Sequence, residues 1–275
     1  MLSRDELILS SGTVGNPPLD GLIDAAVAGG YGSVAIWPAD YLQWRESGIS
    51  DGQARSRLDD AGIAVSQVDC LLMWSLNPGS KRAAAEESDV FAAAEAFGAR
   101  CVSAIGPGDD RFSVDQLAET LAGTCDRGAE HGFDIALEVA PWKGNVDLET
   151  AVQLIKATGR SNAGLVIDSW HLFRGATPAS QLAAVPGEMV MSIQISDAPY
   201  APGPDLVAET MGARLLPGVG AIDLGKLLRA LDDQSNGVAL TVEVLSDEMR
   251  AAGPAEAGRL TGQATRSVLA AALGS

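Results

Sequence analysis

Along the chain, short apolar runs rich in valine and isoleucine alternate with longer segments in which apolar residues recur every three or four positions. Runs of the first kind predict strands buried on both faces, and the second kind predicts helices with one apolar stripe. Eight strand segments follow in order: LILSS at 7–11, GSVAIWP at 32–38, AVSQVDCLLMW at 64–74, CVSAIGP at 101–107, DIALEVAPW at 134–142, AGLVIDSWH at 163–171, MVMSIQISDAP at 189–199 and ALTVEVLSDE at 239–248. A helix is expected after each. Leu19, Leu22, Ile23 and Ala26 fall on one helical face, and Leu224, Leu227, Leu228 and Leu231 repeat the stripe. Gly29 and Gly30, Gly98 and Gly159 stand where such helices should stop. Eight βα units without a low-complexity linker predict one domain over residues 1–275, an α/β fold of the (β/α)8 TIM-barrel type.

Composition narrows the function classes. No apolar run approaches the roughly 18 residues of a membrane span, so no membrane partner is expected. The net charge of −17 repels polyanions and sets nucleic acid aside. Cys70, Cys101 and Cys125 lack metal-type spacing, and MLSRDELILSSG lacks the basic region and apolar core of an export signal, which together predict a cytoplasmic protein. After the first strand, SSGTVGNPP has neither the dinucleotide fingerprint nor a phosphate-loop lysine, so no nucleotide cofactor is expected.

The chemistry should lie at the C-terminal strand ends, where a barrel of this kind builds its site. Four strands place an oxygen-bearing side chain there: Glu138 in ALEVAPW, Asp168 in LVIDSWH, Gln194 in SIQISD and Glu243 in LTVEVLSDE. A lone buried glutamate is often half of a core ion pair, but the strands carry no lysine or arginine, and Lys143 and Arg174 lie beyond their ends. Three carboxylates converging on one mouth repel each other unless a cation joins them. One divalent ion is therefore expected, Mg²⁺ or Mn²⁺ by the hardness of oxygen donors, with Co²⁺ or Zn²⁺ as alternatives. Of the two histidines, His131 reads as a helix-end surface residue, whereas His171 stands just past a strand end, placed either to bond a substrate oxygen or to pack as an ordinary loop residue. Trp37, Trp74, Trp142 and Trp170 fall at or just beyond strand ends, where they either cap the barrel or stack on a sugar or aromatic substrate.

These pieces, with LPGVGAIDL at 216–224, resemble the sugar isomerase/epimerase superfamily of xylose isomerase-like barrels over nearly the whole chain. The resemblance implies that Glu138, Asp168, Gln194 and Glu243 ligate one metal, that Glu138 and Glu243 form the acid/base pair with His171 in the catalytic set, and that His171 and Arg214 contact substrate oxygens. Glutamine at 194, where many members carry histidine, is most similar to the hydroxypyruvate isomerase branch. The endonuclease branch needs more histidines than this chain has. The implied activity is isomerisation or epimerisation of an unphosphorylated hydroxyketone or sugar through an enediolate. A lyase or dehydratase acting on a keto-sugar, glycoside or cyclic keto-acid is the alternative, and a non-catalytic binding barrel a further one. The expected partner is a small molecule, with a homo-oligomer or a partner subunit left open.

Overall fold

The computed structural model describes residues 1–3, 6–106, 112–141, 146–234 and 237–274. Eight parallel strands close into a barrel in sequence order, the first pairing with the last. They are β1 (Leu7–Ser10), β2 (Ser33–Ile36), β3 (Ala64–Leu71), β4 (Cys101–Ile105), β5 (Asp134–Glu138), β6 (Ala163–Asp168), β7 (Val190–Ile195) and β8 (Leu240–Val242). Each lies inside one of the eight apolar runs, and the xylose isomerase-like barrel expected from the sequence is the fold observed.

The helices are α1 (Leu19–Gly29), α2 (Pro38–Glu46), α3 (Asp51–Asp60), α4 (Met73–Leu76), α5 (Lys81–Phe97), α6 (Val114–His131), α7 (Leu148–Thr158), α8 (Ser169–Arg174), α9 (Ala179–Ala183), α10 (Leu206–Gly212), α11 (Leu224–Gln234), α12 (Asp247–Ala252) and α13 (Pro254–Leu273). Gly30, Gly98 and Gly159 each take a left-handed backbone just after a helix, as the sequence predicts, because only glycine adopts that conformation without a steric penalty. Side chains of Ser50, Ser80, Ser113, Asp147 and Asp205 accept amide hydrogens at helix starts that would otherwise lack partners.

Two features place the strand ends relative to each other. The barrel is joined at its seam by Thr13, whose hydroxyl donates to the Val242 carbonyl (3.0 Å) and accepts from the Val244 amide (2.9 Å), so the segment carrying Glu243 is tied to the end of β1. In β6 and β7, Asp168 stands in register with Gln194, so their side chains project side by side from neighbouring strands about 4.8 Å apart. Outside the barrel, α13 lies against α1 with their backbones nearly touching: a Cβ at Gly258 would come within 2.1 Å of the Ala25 carbonyl oxygen, and one at Gly262 within 2.4 Å of that of Gly29. No helix among the described residues is long and apolar enough to cross a membrane.

Candidate active site

Glu138 ends β5, Asp168 ends β6, Gln194 lies one residue before the end of β7, and Glu243 follows β8 directly. All four are at most 5% exposed, so their charges are shielded from bulk water. Asp168 divides its work. Its Oδ1 accepts the His171 amide (2.8 Å) and caps α8, while its Oδ2 takes the Arg214 guanidinium (2.7 Å). The cap turns the chain so that His171 Nε2 comes to 3.0 Å from Glu138 Oε1. Arg214 also reaches Glu243 Oε2 (3.3 Å), and Ser10 donates to Glu243 Oε1 (3.2 Å).

The scarcity of cations expected from the strands is therefore incomplete. Arg214 comes from the loop after α10, 46 residues beyond Asp168, and is only 2% exposed. Its Nη2 donates to the Thr210 hydroxyl (2.8 Å) and its Nε to the Thr210 carbonyl (3.1 Å), and its guanidinium lies 5.4 Å from the centre of the Trp170 ring. That surround fixes one planar cation between two carboxylates. Burial opposes the Asp168 charge, but Arg214 and His171 outweigh it and hold the carboxyl below its ordinary range. Glu243 goes the other way: burial lifts its pKa well above the ordinary value, Arg214 only partly offsets this, and the neighbouring carboxylates of Glu138, Asp69 and Asp168 add to the rise. Two acids a few ångströms from the same arginine are thus driven toward opposite protonation states.

Glu138, Asp168 and His171 offer atoms within 4.8 Å of one another, all on buried side chains. Gln194 turns its amide oxygen toward the same carboxylates; with the amide turned over, its nitrogen donates to Glu138 Oε1 at 3.1 Å and Asp168 Oδ2 at 3.2 Å. The turned amide is satisfied by the two carboxylates themselves, so the fit to a divalent ion rests on the buried Glu138 and Asp168 oxygens and the His171 nitrogen.

One carboxylate missing from the sequence-based set faces the same space. Asp69, near the end of β3, accepts from Gln67 Nε2 (2.5 Å) and Ser103 Oγ (2.5 Å) through Oδ1, while its buried Oδ2 has no hydrogen-bond partner. Burial pushes its pKa up to about 6, with the two hydrogen bonds acting against the rise and the Glu138 charge adding to it. Its signal in the sequence, an acid inside the apolar run VDCLL, is the one that marks Glu138.

A cavity of about 760 Å³ opens above these groups, with Asp69, Glu138, His171, Gln194, Arg214 and Glu243 in its wall. Asp168 is enclosed beneath Arg214. Trp37 lines the cavity, held by Asp40, which accepts the Trp37 amide (2.8 Å) and the Ser11 hydroxyl (2.5 Å). Trp74 and Trp170 do not reach it. The Trp74 indole donates to the Ile105 carbonyl (2.7 Å), and Trp170 is fully buried beneath Arg214 and Arg174, because closeness to a strand end sets neither the direction nor the depth of a side chain. Trp142 lies outside the described residues. His131 ends α6 and its Nδ1 meets Glu95 at 2.5 Å, the helix-end position expected of it.

A second buried carboxylate, Asp197, organises the loop that delivers Arg214. Its Oδ2 accepts the amides of Gly218 (3.0 Å) and Gly220 (2.9 Å), and its Oδ1 those of Ala198 (2.8 Å) and Ile222 (2.9 Å). The separate motifs ISD and LPGVGAIDL are therefore two halves of one hydrogen-bonded unit.

Comparison with known proteins agrees with the fold. A family model described as xylose isomerase-like TIM barrel matches residues 23–265. An inosose isomerase of Bacillus velezensis is 32% identical over 133 residues, 48% of this chain and 46% of that protein. A 3-dehydroshikimate dehydratase of Pseudomonas aeruginosa is 31% identical over 147 residues, 53% of this chain but 23% of that protein. Each match thus spans less than half the length of the curated relative. The crystal structure of the IolI protein with a zinc atom superimposes with a TM-score of 0.87 over 98% of this chain and 100% of that one, at 21% identity, which speaks to the fold.

Proposed function

The chain belongs to the xylose isomerase-like TIM-barrel family, and from that premise we propose that it is a divalent-metal-dependent isomerase or epimerase of an unphosphorylated sugar-like ketone. The observation that carries this reading is the pair Glu138 and Glu243 in the wall of one cavity, each held by its own partner, the His171 imidazole for the first and the Arg214 guanidinium for the second. The similarity to inosose isomerases supports it.

Glu138, Asp168, Gln194 and Glu243 are the residues that would hold the ion. A divalent cation there supplies Lewis acidity to the carbonyl and adjacent hydroxyl oxygens, which acidifies the neighbouring C–H. Glu138 takes that proton, and the C–H electron pair moves into the carbonyl to leave an enediolate. Glu243 returns a proton from its own side of the ring, which inverts the carbon, or the proton goes to the former carbonyl carbon while the neighbouring hydroxyl proton passes to the former carbonyl oxygen, which moves the ketone. His171 orients the Glu138 carboxylate by its 3.0 Å contact, and Arg214 presents its remaining positive face to substrate oxygen.

A second reading rests on the dehydratase relatives. Loss of a β-hydroxyl from the same enediolate, with a proton delivered to the departing oxygen, gives water and a conjugated ketone. The test is to dialyse the purified protein free of metal, restore Mn²⁺, Mg²⁺, Co²⁺ or Zn²⁺ separately, and supply an inosose or 3-dehydroshikimate. Isomerised ketone by NMR supports the first reading, a product with conjugated absorbance the second. No product from either, with any ion, overturns both.

A further inference from the structure

The cavity above the carboxylates has two kinds of wall. Its floor is polar, and toward solvent Trp37, Leu72, Val207 and Met211 share the rim with the charged side chains of Arg82, Glu86 and Asp89 on α5. Of these, Leu72 is 40%, Val207 58% and Met211 40% exposed, although each belongs to a side-chain type that normally seeks the core. Val207 and Met211 stand four positions apart on α10, facing the same space as Leu72 from the end of β3.

This apolar rim is fixed in place. The Glu86 carboxylate accepts the amides of Leu72 (2.9 Å) and Met73 (2.6 Å), which sets the Leu72 segment against α5. At α10, Asp205 caps the first turn, accepting the amides of Val207 (2.8 Å) and Ala208 (3.1 Å). Glu209 is paired with the buried Arg174 (2.6 Å), Thr210 receives Arg214, and the Met211 carbonyl accepts from Arg250. The helix that anchors Arg214 through Thr210 therefore also carries Val207 and Met211 of the apolar wall.

A small polyol can occupy the polar floor but leaves the apolar side chains above it against water. Hydroxyls placed against Leu72, Val207 and Met211 lose water and gain no partner from that wall. A planar apolar group suits it, since buried apolar area and aromatic stacking on Trp37 both favour its transfer from water. The volume, about 760 Å³, is also in the range of roughly 300–1000 Å³ that houses drug-sized ligands.

We propose that the substrate is amphipathic: a keto-sugar or keto-cyclitol ring bearing an aromatic substituent, with the ring on the carboxylate floor and the substituent between Trp37, Leu72 and α10. This rests on the ketone-isomerase reading for the identity of the ring, but not for the apolar chamber.

The test separates the two. Equilibrium binding to the metal-loaded protein is measured for a methyl and a phenyl 3-keto-glucoside, and in parallel for the methyl and phenyl glucosides that lack the ketone. Within each pair the phenyl compound is expected to bind at least about tenfold more tightly. Val207→Asp and Met211→Glu, made separately and checked for an unchanged circular dichroism spectrum, are expected to bring that ratio to within about twofold of one. Equal affinities of phenyl and methyl compounds, or ratios unmoved in both variants, overturn the proposal. So does failure of every phenyl compound to bind. A fall in sedimentation coefficient in the variants with unchanged ratios assigns the wall to a second copy of the chain and also overturns it. Tighter phenyl binding without turnover of the ketones leaves the chamber standing and removes the isomerase reading.

Discussion

At the residue scale, Asp69 and Glu138 make the same statement in the sequence, an acid set into an apolar strand, and reach opposite ends in the structure. Glu138 meets His171, whereas Asp69 satisfies one oxygen with Gln67 and Ser103 and leaves the other without a partner. Its pKa of about 6 in the folded protein lies above the ordinary value of an aspartate, so the native state holds the proton more tightly than the unfolded chain. A raised acid of this kind destabilises the fold once ionised: stability is greatest below the unfolded value, falls as pH rises through the interval, and is lowest above about 6. Asp69→Asn is therefore expected to gain on the order of 2 kcal/mol above pH 7 and nothing near pH 4, read as the difference in urea midpoints at the two pH values. An equal shift at both would contradict the assignment. Arg214→Met has the opposite sign. It leaves Asp168 and Glu243 buried with less compensating charge and is expected to cost about 3–5 kcal/mol at neutral pH, a loss that urea unfolding detects directly. A change below 1 kcal/mol would show that the arginine is dispensable to the folded site.

Arg214 and Asp69 also mark how far the sequence was legible. The oxygen-bearing residues at the ends of β5 to β8 were readable because a charged or carboxamide side chain in an apolar strand stands out against its neighbours. Arg214 could be placed near substrate only through family resemblance: nothing in ARLLPG says that its guanidinium will travel to a carboxylate 46 residues away. Trp74 and Trp170 were read for the cavity from position alone, yet strand-end position leaves χ angles open, and packing turned both away from it.

At the scale of elements, the strand runs and helix stops were legible because burial on both faces and the left-handed glycine conformation each leave a local trace. The contact between α1 and α13 left none that periodicity could show. It depends on Gly29, Gly258 and Gly262 allowing two backbones to approach where any Cβ would strike a carbonyl. Gly258→Ala is expected to push the helices apart, lowering stability by about 1–3 kcal/mol while leaving metal affinity unchanged, since the seam lies outside the cavity wall. Differential scanning calorimetry and a metal titration on the same sample check both halves, and an unaltered midpoint would mean that the seam is looser than its geometry implies. The loop unit built on Asp197 predicts a different split. Asp197→Ala releases four backbone amides and loosens the segment leading from Arg214 to α11, so it is expected to weaken substrate binding as well as stability.

At the scale of the whole molecule, a chain with a net charge of −17 concentrates six acidic side chains, Asp69, Glu86, Asp89, Glu138, Asp168 and Glu243, in or beneath the wall of one barrel mouth. Arg214 and Arg82 balance part of that charge, and the proposed cation, held by Glu138, Asp168, Gln194 and Glu243, would balance more of it. If that cation belongs to the folded state, adding it at 100 times its dissociation constant stabilises the protein by about 2.7 kcal/mol. A melting temperature unchanged by every divalent ion would remove the metal from the account.

The central claim is that these residues move a proton on and off carbon next to a ketone. Solvent deuterium entering the α-C–H position of an inosose, followed by NMR with the wild type, Glu138→Gln and Glu243→Gln loaded with the same divalent ion, tests it most directly. The wild type is expected to exchange the position, and each variant to slow exchange by at least about 100-fold, the lower end of what a positioned acid or base contributes. No exchange by the wild type, or exchange that both variants retain, would contradict it.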